Sequence, residues 1–123
     1  MRLTRAKVMD IASDLSATRN MELAKVAEGE SGAIQMTPVF MMAVRHVATT
    51  RDICLKLGLT DDITEIEVSK EQFIEAQSES LSDTCKDPNM SFDMTLEAML
   101  FGNMLTRELF DKGENNETEK ADS

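Results

Sequence analysis

The chain has 123 residues, of which 41% are apolar and 29% charged, and its formal net charge is −10 at pH 7. This balance is typical of a globular protein, and the length suits a single domain. The acidic charge argues against direct binding of nucleic acid, and two cysteines are too few for a disulfide scaffold. A membrane-spanning helix is excluded because no apolar stretch reaches about 18 residues.

The N-terminal segment predicts a cytoplasmic protein. Its first residues are basic, but Asp10 and Asp14 interrupt the stretch where a secretory signal peptide needs an apolar run. In the cytosol Cys54 and Cys85 remain reduced, and we expect both to behave as buried or half-buried small apolar side chains.

The first predicted helix runs from about Thr4 to Glu28. Apolar residues at helical spacing line one face in its first half: Val8, Ile11, Ala12 and Leu15. Beyond residues 16–20 the apolar stripe continues on another side of the helix. We therefore expect a kink or a break at residues 16–20.

The second predicted helix has Thr37 as its N-cap and Pro38 at its first position, and it ends near Leu57 because Gly58 favours the turn that follows. Residues 39–44 are six consecutive apolar residues, so the first turns are apolar on all sides. Such a helix lies at the centre of its domain or in an interface.

The segment from residue 59 to residue 69 alternates apolar and acidic side chains, as a short strand does, but the sequence contains no second strand signal. We therefore expect a loop or a helical lead-in. Ser69 and Gln72 then form a capping box, which predicts a third helix from Lys70 to about Asp83.

The fourth predicted helix runs from about Ser91 to Lys112 and contains Gly102. A glycine inside a helix costs about 1 kcal/mol relative to alanine, so we expect Gly102 to allow the close approach of another helix. The sequence thus predicts an all-α bundle of four or five helices. A single domain covers residues 1–113, and residues 114–123 form a disordered acidic tail.

Charge is distributed unevenly along the chain. Residues 1–60 contain eight basic and six acidic residues, whereas residues 61–123 contain five and seventeen. Five carboxylates recur at every fourth position and would form one ridge on a helix, here called the acidic ridge: Glu67, Glu71, Glu75, Glu79 and Asp83. Like charges at this spacing destabilise a helix by about a few tenths of a kcal/mol per pair.

Three interpretations of the acidic ridge stay open. It is a solvated face that keeps the protein soluble, or it pairs with the basic residues Arg2, Arg5 and Lys7 within the chain or between copies. In the third interpretation it docks on a basic surface of another protein, in the extreme case by imitating the phosphates of DNA.

The sequence gives no support for catalysis, a metal or a cofactor. His46 is the only histidine, which excludes a centre built on several histidines and the paired Glu-x-x-His motifs of di-iron bundles. Cys54 would lie about 12 Å from His46 along the same helix, too far for a catalytic pair. We expect His46 to be a packing or surface residue and the protein not to be an enzyme.

The second and fourth helices carry more apolar surface than their neighbours in a small bundle can cover. We therefore predict a homodimer, or a partner protein that completes the core, through apolar residues of these helices: Phe40, Met41, Met94, Phe101 and Leu105. The predicted function is that of a small adaptor, assembly or regulatory protein. The alternative is an inhibitor, of the type made by phages and mobile elements, that covers a basic surface of its target with the acidic ridge.

Overall fold

The computed structural model of the chain describes residues 1–28 and 36–112. Its helices are α1 (Arg5–Glu28), α2 (Met36–Lys56), α3 (Lys70–Lys86) and α4 (Phe92–Thr106), and α4 continues as a π-helical segment over Arg107–Asp111. Two short strands are present, β1 (Arg2–Leu3) and β2 (Ile66–Glu67). The predicted all-α helical bundle is confirmed. The predicted tail, residues 114–123, lies outside the described residues.

Helix α2 packs against α1, α3 and α4, as α4 does against the other three helices. The first turns of α2 nevertheless expose Phe40 and Met41, so the neighbouring helices do not cover its apolar start. All four helices contribute to one core, whose largest fully buried apolar side chains are Leu3, Ile53, Leu59, Phe73, Phe101 and Leu105. None of the helices in the described ranges is both long and apolar enough to cross a membrane.

Helix α1 is continuous through residues 16–20, so it does not break there. Its start is fixed by Thr4, whose Oγ1 accepts a hydrogen bond from the backbone N–H of Lys7 at 3.1 Å. The start of α2 also differs from the prediction, because the helix begins at Met36, one residue before the expected cap Thr37.

The local end signals of α2 and α3 are confirmed. Gly58 has a φ of +82° at the end of α2, a conformation that residues with a side chain rarely adopt. At the start of α3, Ser69 Oγ accepts from the backbone N–H of Gln72 at 3.1 Å, and Gln72 Oε1 accepts from the backbone N–H of Ser69 at 2.8 Å. This reciprocal capping box satisfies two backbone donors that the helix itself leaves unpaired.

The segment before α3 contains a strand, so the expectation of a loop or helical lead-in was wrong there. β2 pairs with β1 in antiparallel register, with Arg2 opposite Glu67 and Leu3 opposite Ile66. A partner of two residues near the start of the chain is too short to show a strand pattern in the sequence. The pairing brings Leu3 into the core, where it is fully buried.

Gly102 allows α3 and α4 to approach each other, as predicted. A Cβ atom at this position would lie 2.9 Å from Cγ of Gln77 on α3. The carboxamide of Gln77 lies within 2.7 Å of Asn103 Oδ1 and of Thr106 Oγ1 on α4. The missing side chain of Gly102 therefore makes room for a polar contact between the two helices.

Candidate functional site

A buried polar network joins α1, α2 and α4 around the carboxylate of Glu97, a residue only 4% exposed. The Arg19 guanidinium donates two hydrogen bonds to it, from Nε to Oε2 at 3.0 Å and from Nη2 to Oε1 at 2.9 Å. His46 Nε2 lies 2.8 Å from Oε2. The buried negative charge is thus paired and hydrogen-bonded, as burial of a charge requires.

The same histidine connects this acid to a hydroxyl group. An ionised carboxylate only accepts hydrogen bonds, so the neutral imidazole of His46 carries its proton on Nε2. Its Nδ1 atom then accepts from the hydroxyl of Ser16, at 2.7 Å. The ring stacks on Phe101, with centroids 4.1 Å apart and 14° between the planes. Hydroxyl, imidazole and carboxylate therefore form one hydrogen-bonded chain in a fixed orientation.

The environment shifts the pKa values of both titratable members of the chain downward. Burial lowers the pKa of His46 below 6.5, although its hydrogen bond to Glu97 acts in the opposite direction. Burial raises the pKa of Glu97, but the hydrogen bonds from Arg19 and His46 outweigh it and hold the pKa below 4.5. At neutral pH the imidazole is uncharged and the carboxylate is ionised.

A cavity of about 350 Å³ lies between α1 and α2 beside this network. Ser16 and His46 both line it, so two residues of the hydrogen-bonded chain border the cavity. The other lining residues are small or uncharged: Met9, Ala12, Ser13, Ala43, Val47 and Thr50. The cavity thus combines a mostly apolar wall with two hydrogen-bonding groups, a combination typical of small-molecule sites.

This network is not evident from the sequence because its members come from three helices. Cys54 is on the same helix as His46, whereas the structure places Ser16, thirty positions earlier, against the imidazole. One signal was available in the polar residues of α1 that interrupt the apolar stripe. Ser16 and Arg19 occur there because they face His46 and Glu97, and not because the helix breaks.

The ends of the acidic ridge are paired within the chain. Glu67 lies in β2 and not on α3, which corrects the expectation of a single helical ridge, and its carboxylate contacts the amino group of Met1 at 2.7 Å. This hydrogen bond lowers the pKa of Glu67. At the other end, Asp83 contacts Nζ of Lys56 at 2.7 Å, and that hydrogen bond lowers the pKa of Asp83.

The middle of the acidic ridge differs from its ends. Glu71, Glu75 and Glu79 are exposed on α3, and no ion pair involves them within the part of the chain that the structure describes. Of the basic residues considered as partners, Arg2 lies near Glu67 at one end of the ridge, with 3.9 Å between Nε and Oε2, whereas Arg5 binds Asp62, with 2.9 Å between Nε and Oδ1. Three adjacent carboxylates therefore point to solvent without an ion pair among the described residues.

The structure exposes two of the five apolar residues that were predicted to face a partner. Phe40 is 68% exposed and Met41 50%, whereas Met94 is half-buried. Phe101 and Leu105 are fully buried in the core of the chain, so the prediction was wrong for these two residues. The reason is that α4 turns this side toward the other helices of its own bundle.

Helix α2 exposes a longer apolar surface than the sequence analysis expected. Its residues are between 41% and 68% exposed and are here called the α2 apolar face: Phe40, Met41, Val44, Val47 and Leu55. At 100° per residue they all fall within roughly one third of the helix circumference. Helix α2 therefore packs on three neighbours and still presents apolar side chains to solvent, with the exposed Arg51 between Val47 and Leu55 in the same sector.

Both cysteines are free, and their surroundings differ. Cys54 is buried as predicted, and burial raises the pKa of its thiol to about 11, so it stays protonated at neutral pH. Cys85 is exposed on α3, contrary to the expectation that it is at least half-buried.

Comparisons of the chain with protein-family models, with curated proteins and with solved structures give no match. Across residues 1–28 and 36–112, no group of three or more His, Cys, Asp or Glu side chains is placed to hold a metal ion. Three features carry functional arguments: the buried network with its cavity, the middle of the acidic ridge, and the α2 apolar face.

Proposed function

We propose that this protein is an adaptor or assembly protein that works through the α2 apolar face, and that a second copy of the chain is the first occupant of that face. The observation that carries the proposal is the exposure of five large apolar side chains in one sector of one helix. Contiguous apolar patches on folded proteins typically mark interaction surfaces.

A second copy suits this surface because a two-fold dimer places the same patch of each subunit against the other. Such a dimer would cover the exposed apolar side chains of the stripe. Phe40 lies near one end of the stripe and supplies an aromatic side chain, the kind of residue that often dominates interface energetics.

The test introduces a charge in the middle of the α2 apolar face. We expect V44D to be monomeric, because a buried unpaired aspartate in the interface would cost more than the contact gains. The matched control is I63D, which places the same charge at an isoleucine that is 86% exposed in the loop between α2 and β2.

Sedimentation equilibrium of the full chain measures the result. Dimers of the wild type and of I63D, together with a monomeric V44D, would support the proposal. A monomeric wild type, or a V44D variant that still dimerises, would overturn the second copy as the occupant.

A second candidate function is the docking of α3 on a basic surface of another protein, as an inhibitor does. The observation that favours it is the exposure of Glu71, Glu75 and Glu79 without an ion pair among the described residues. Carboxylates about 6 Å apart on one helix face repel each other, and a basic partner would relieve that repulsion.

For this candidate we expect the triple variant E71Q/E75Q/E79Q to lose a partner that the wild type captures from a cell extract. The partner should also dissociate at about 500 mM salt, since exposed charges are strongly screened there. The control D10N/D14N removes two exposed carboxylates from α1. Equal loss in this control, or retention by the triple variant, would contradict docking through α3.

We also propose a cytoplasmic location for these contacts. Two free thiols, one of them exposed, suit a reducing compartment.

A further inference from the structure

We propose that Ser16 is a nucleophile activated by His46, and that it accepts short apolar acyl groups from carboxylic esters bound in the cavity between α1 and α2. This chemical activity goes beyond the proposed protein binding and does not depend on it, although Val47 belongs both to the α2 apolar face and to the cavity wall.

The hydrogen-bonded chain has the order that an activated serine requires. The hydroxyl lies 2.7 Å from His46 Nδ1, and the opposite ring nitrogen lies 2.8 Å from Glu97 Oε2. A nucleophile bonded to a base, with the base oriented by an acid, is recognised by these roles and not by sequence position. Nδ1 serves as the base here because the bond to Glu97 keeps the proton on Nε2.

The groups around the imidazole hold it ready for proton transfer. Arg19 donates a hydrogen bond to each oxygen of Glu97, so the carboxylate stays ionised and able to stabilise the imidazolium that forms. Phe101 stacks on the ring and fixes its plane. The base therefore has one orientation and does not need to reorganise before the reaction.

The cavity indicates the class of substrate. Its apolar wall is formed by Met9, Ala12, Ala43 and Val47, and no Asp, Glu, Lys or Arg of the described residues lines it. Such a wall favours an uncharged ester with a short apolar acyl chain. Nδ2 of Asn20 lies 3.4 Å from Ser16 Oγ and places an amide donor beside the atom that would attack.

The reaction proceeds in two balanced steps. Ser16 Oγ forms a bond to the ester carbonyl carbon and gives its proton to His46 Nδ1, after which the bond to the alcohol oxygen breaks and the alcohol leaves with that proton. Water then attacks the acyl-serine and gives a proton to Nδ1, which returns it to Oγ as the carboxylic acid departs. The sum is one ester and one water converted to an acid and an alcohol.

A sulfonyl fluoride probe tests the nucleophile directly. The full chain is treated with phenylmethylsulfonyl fluoride, digested, and mapped by mass spectrometry. We expect a sulfonyl adduct at Ser16, formed as fluoride leaves, that disappears in S16A and when the protein is unfolded in urea. S13A is the matched control, because Ser13 lines the same cavity one turn away but is exposed.

Hydrolysis of p-nitrophenyl butyrate tests the substrate class in the same variants. We expect release of p-nitrophenol by the wild type and by S13A, and none above the buffer rate by S16A. The proposal is overturned by the absence of an adduct, by an adduct at Ser13 or spread over other serines, by labelling that continues in urea, or by cleavage that persists in S16A. Circular dichroism of each variant confirms that it is folded.

Discussion

At the scale of single residues, Glu97 is a buried carboxylate with partners on two other helices. Its carboxylate is held by Arg19 from α1 and by His46 from α2, so three helices depend on one ionised group. Removing one member of a buried charged pair leaves the other uncompensated, which typically costs about 3–5 kcal/mol. The network therefore couples the stability of the bundle to pH.

The direction of this dependence follows from the lowered pKa values. Because the pKa of His46 is below 6.5 in the folded chain, the unfolded chain binds more protons between that pKa and 6.5. Stability therefore falls as the pH drops below 6.5. The lowered pKa of Glu97 removes further stability as the pH falls through it, below 4.5.

We predict that the free energy of unfolding in urea decreases when the pH is lowered from 7 to about 5, and that H46Q flattens this decrease. His46 is the only histidine, so the variant has no other imidazole to titrate in this window. Far-UV circular dichroism follows the unfolding, since the chain has no Trp or Tyr for fluorescence. An equal slope in wild type and H46Q would show that His46 is not the group responsible.

At the scale of helices, the contact between Gly102 and Gln77 decides how closely α3 and α4 pack. A methyl group at residue 102 would displace the Gln77 side chain and break its contacts with Asn103 and Thr106. Each lost hydrogen bond costs about 1 kcal/mol. The better helix propensity of alanine returns only about 1 kcal/mol.

We predict that G102A lowers the free energy of unfolding by about 1 kcal/mol in the wild type. In a Q77A background, where no side chain obstructs the methyl group, G102A should instead stabilise the protein by about 1 kcal/mol. Urea unfolding of the four proteins gives the coupling between the two positions. Additive effects of the two substitutions would contradict the contact.

The helix ends and the strand pairing also show which parts of the fold can be predicted from the sequence. Gly58 and the Ser69–Gln72 box act on their own neighbours, so the ends that they mark were predicted correctly. The pairing of β1 with β2 depends on residues far apart in the chain, and a two-residue strand leaves no pattern. The four-residue spacing of the carboxylates placed Glu67 on a helix. The structure places it in β2 instead, because β2 pairs with β1, which lies far away in the sequence.

The candidate sites also divide into features that follow from the local sequence and features that depend on how the helices pack. The exposure of Phe40 and Met41 was predictable, since the run of apolar residues in α2 exceeds what neighbouring helices can cover. The contact of Ser16 with His46 was not, because it depends on the packing of α1 against α2. Phe101 and Leu105 were misassigned because an apolar helix face gives no indication of which neighbour covers it.

At the scale of the whole molecule, the proposed dimer predicts a stability that depends on concentration. Because only folded chains associate, dimer formation stabilises the folded state by mass action. The Tm of the wild type should therefore rise over a roughly hundredfold increase in protein concentration. V44D should show the same Tm at all concentrations. Thermal melts followed by circular dichroism measure both, and a concentration-independent Tm of the wild type would argue against the dimer.

The link between Arg19 and Glu97 spans 78 positions of the chain and has a consequence for its synthesis. On the ribosome, α1 and α2 are complete before Glu97 is added, so during that interval Arg19 and His46 lack the acid that joins them. Their polar groups stay hydrated, and the first two helices cannot close into their final arrangement. The nascent chain therefore completes its interior only after α4 has left the exit tunnel. A chain truncated before residue 97 would lack this acid and would stay open to proteases.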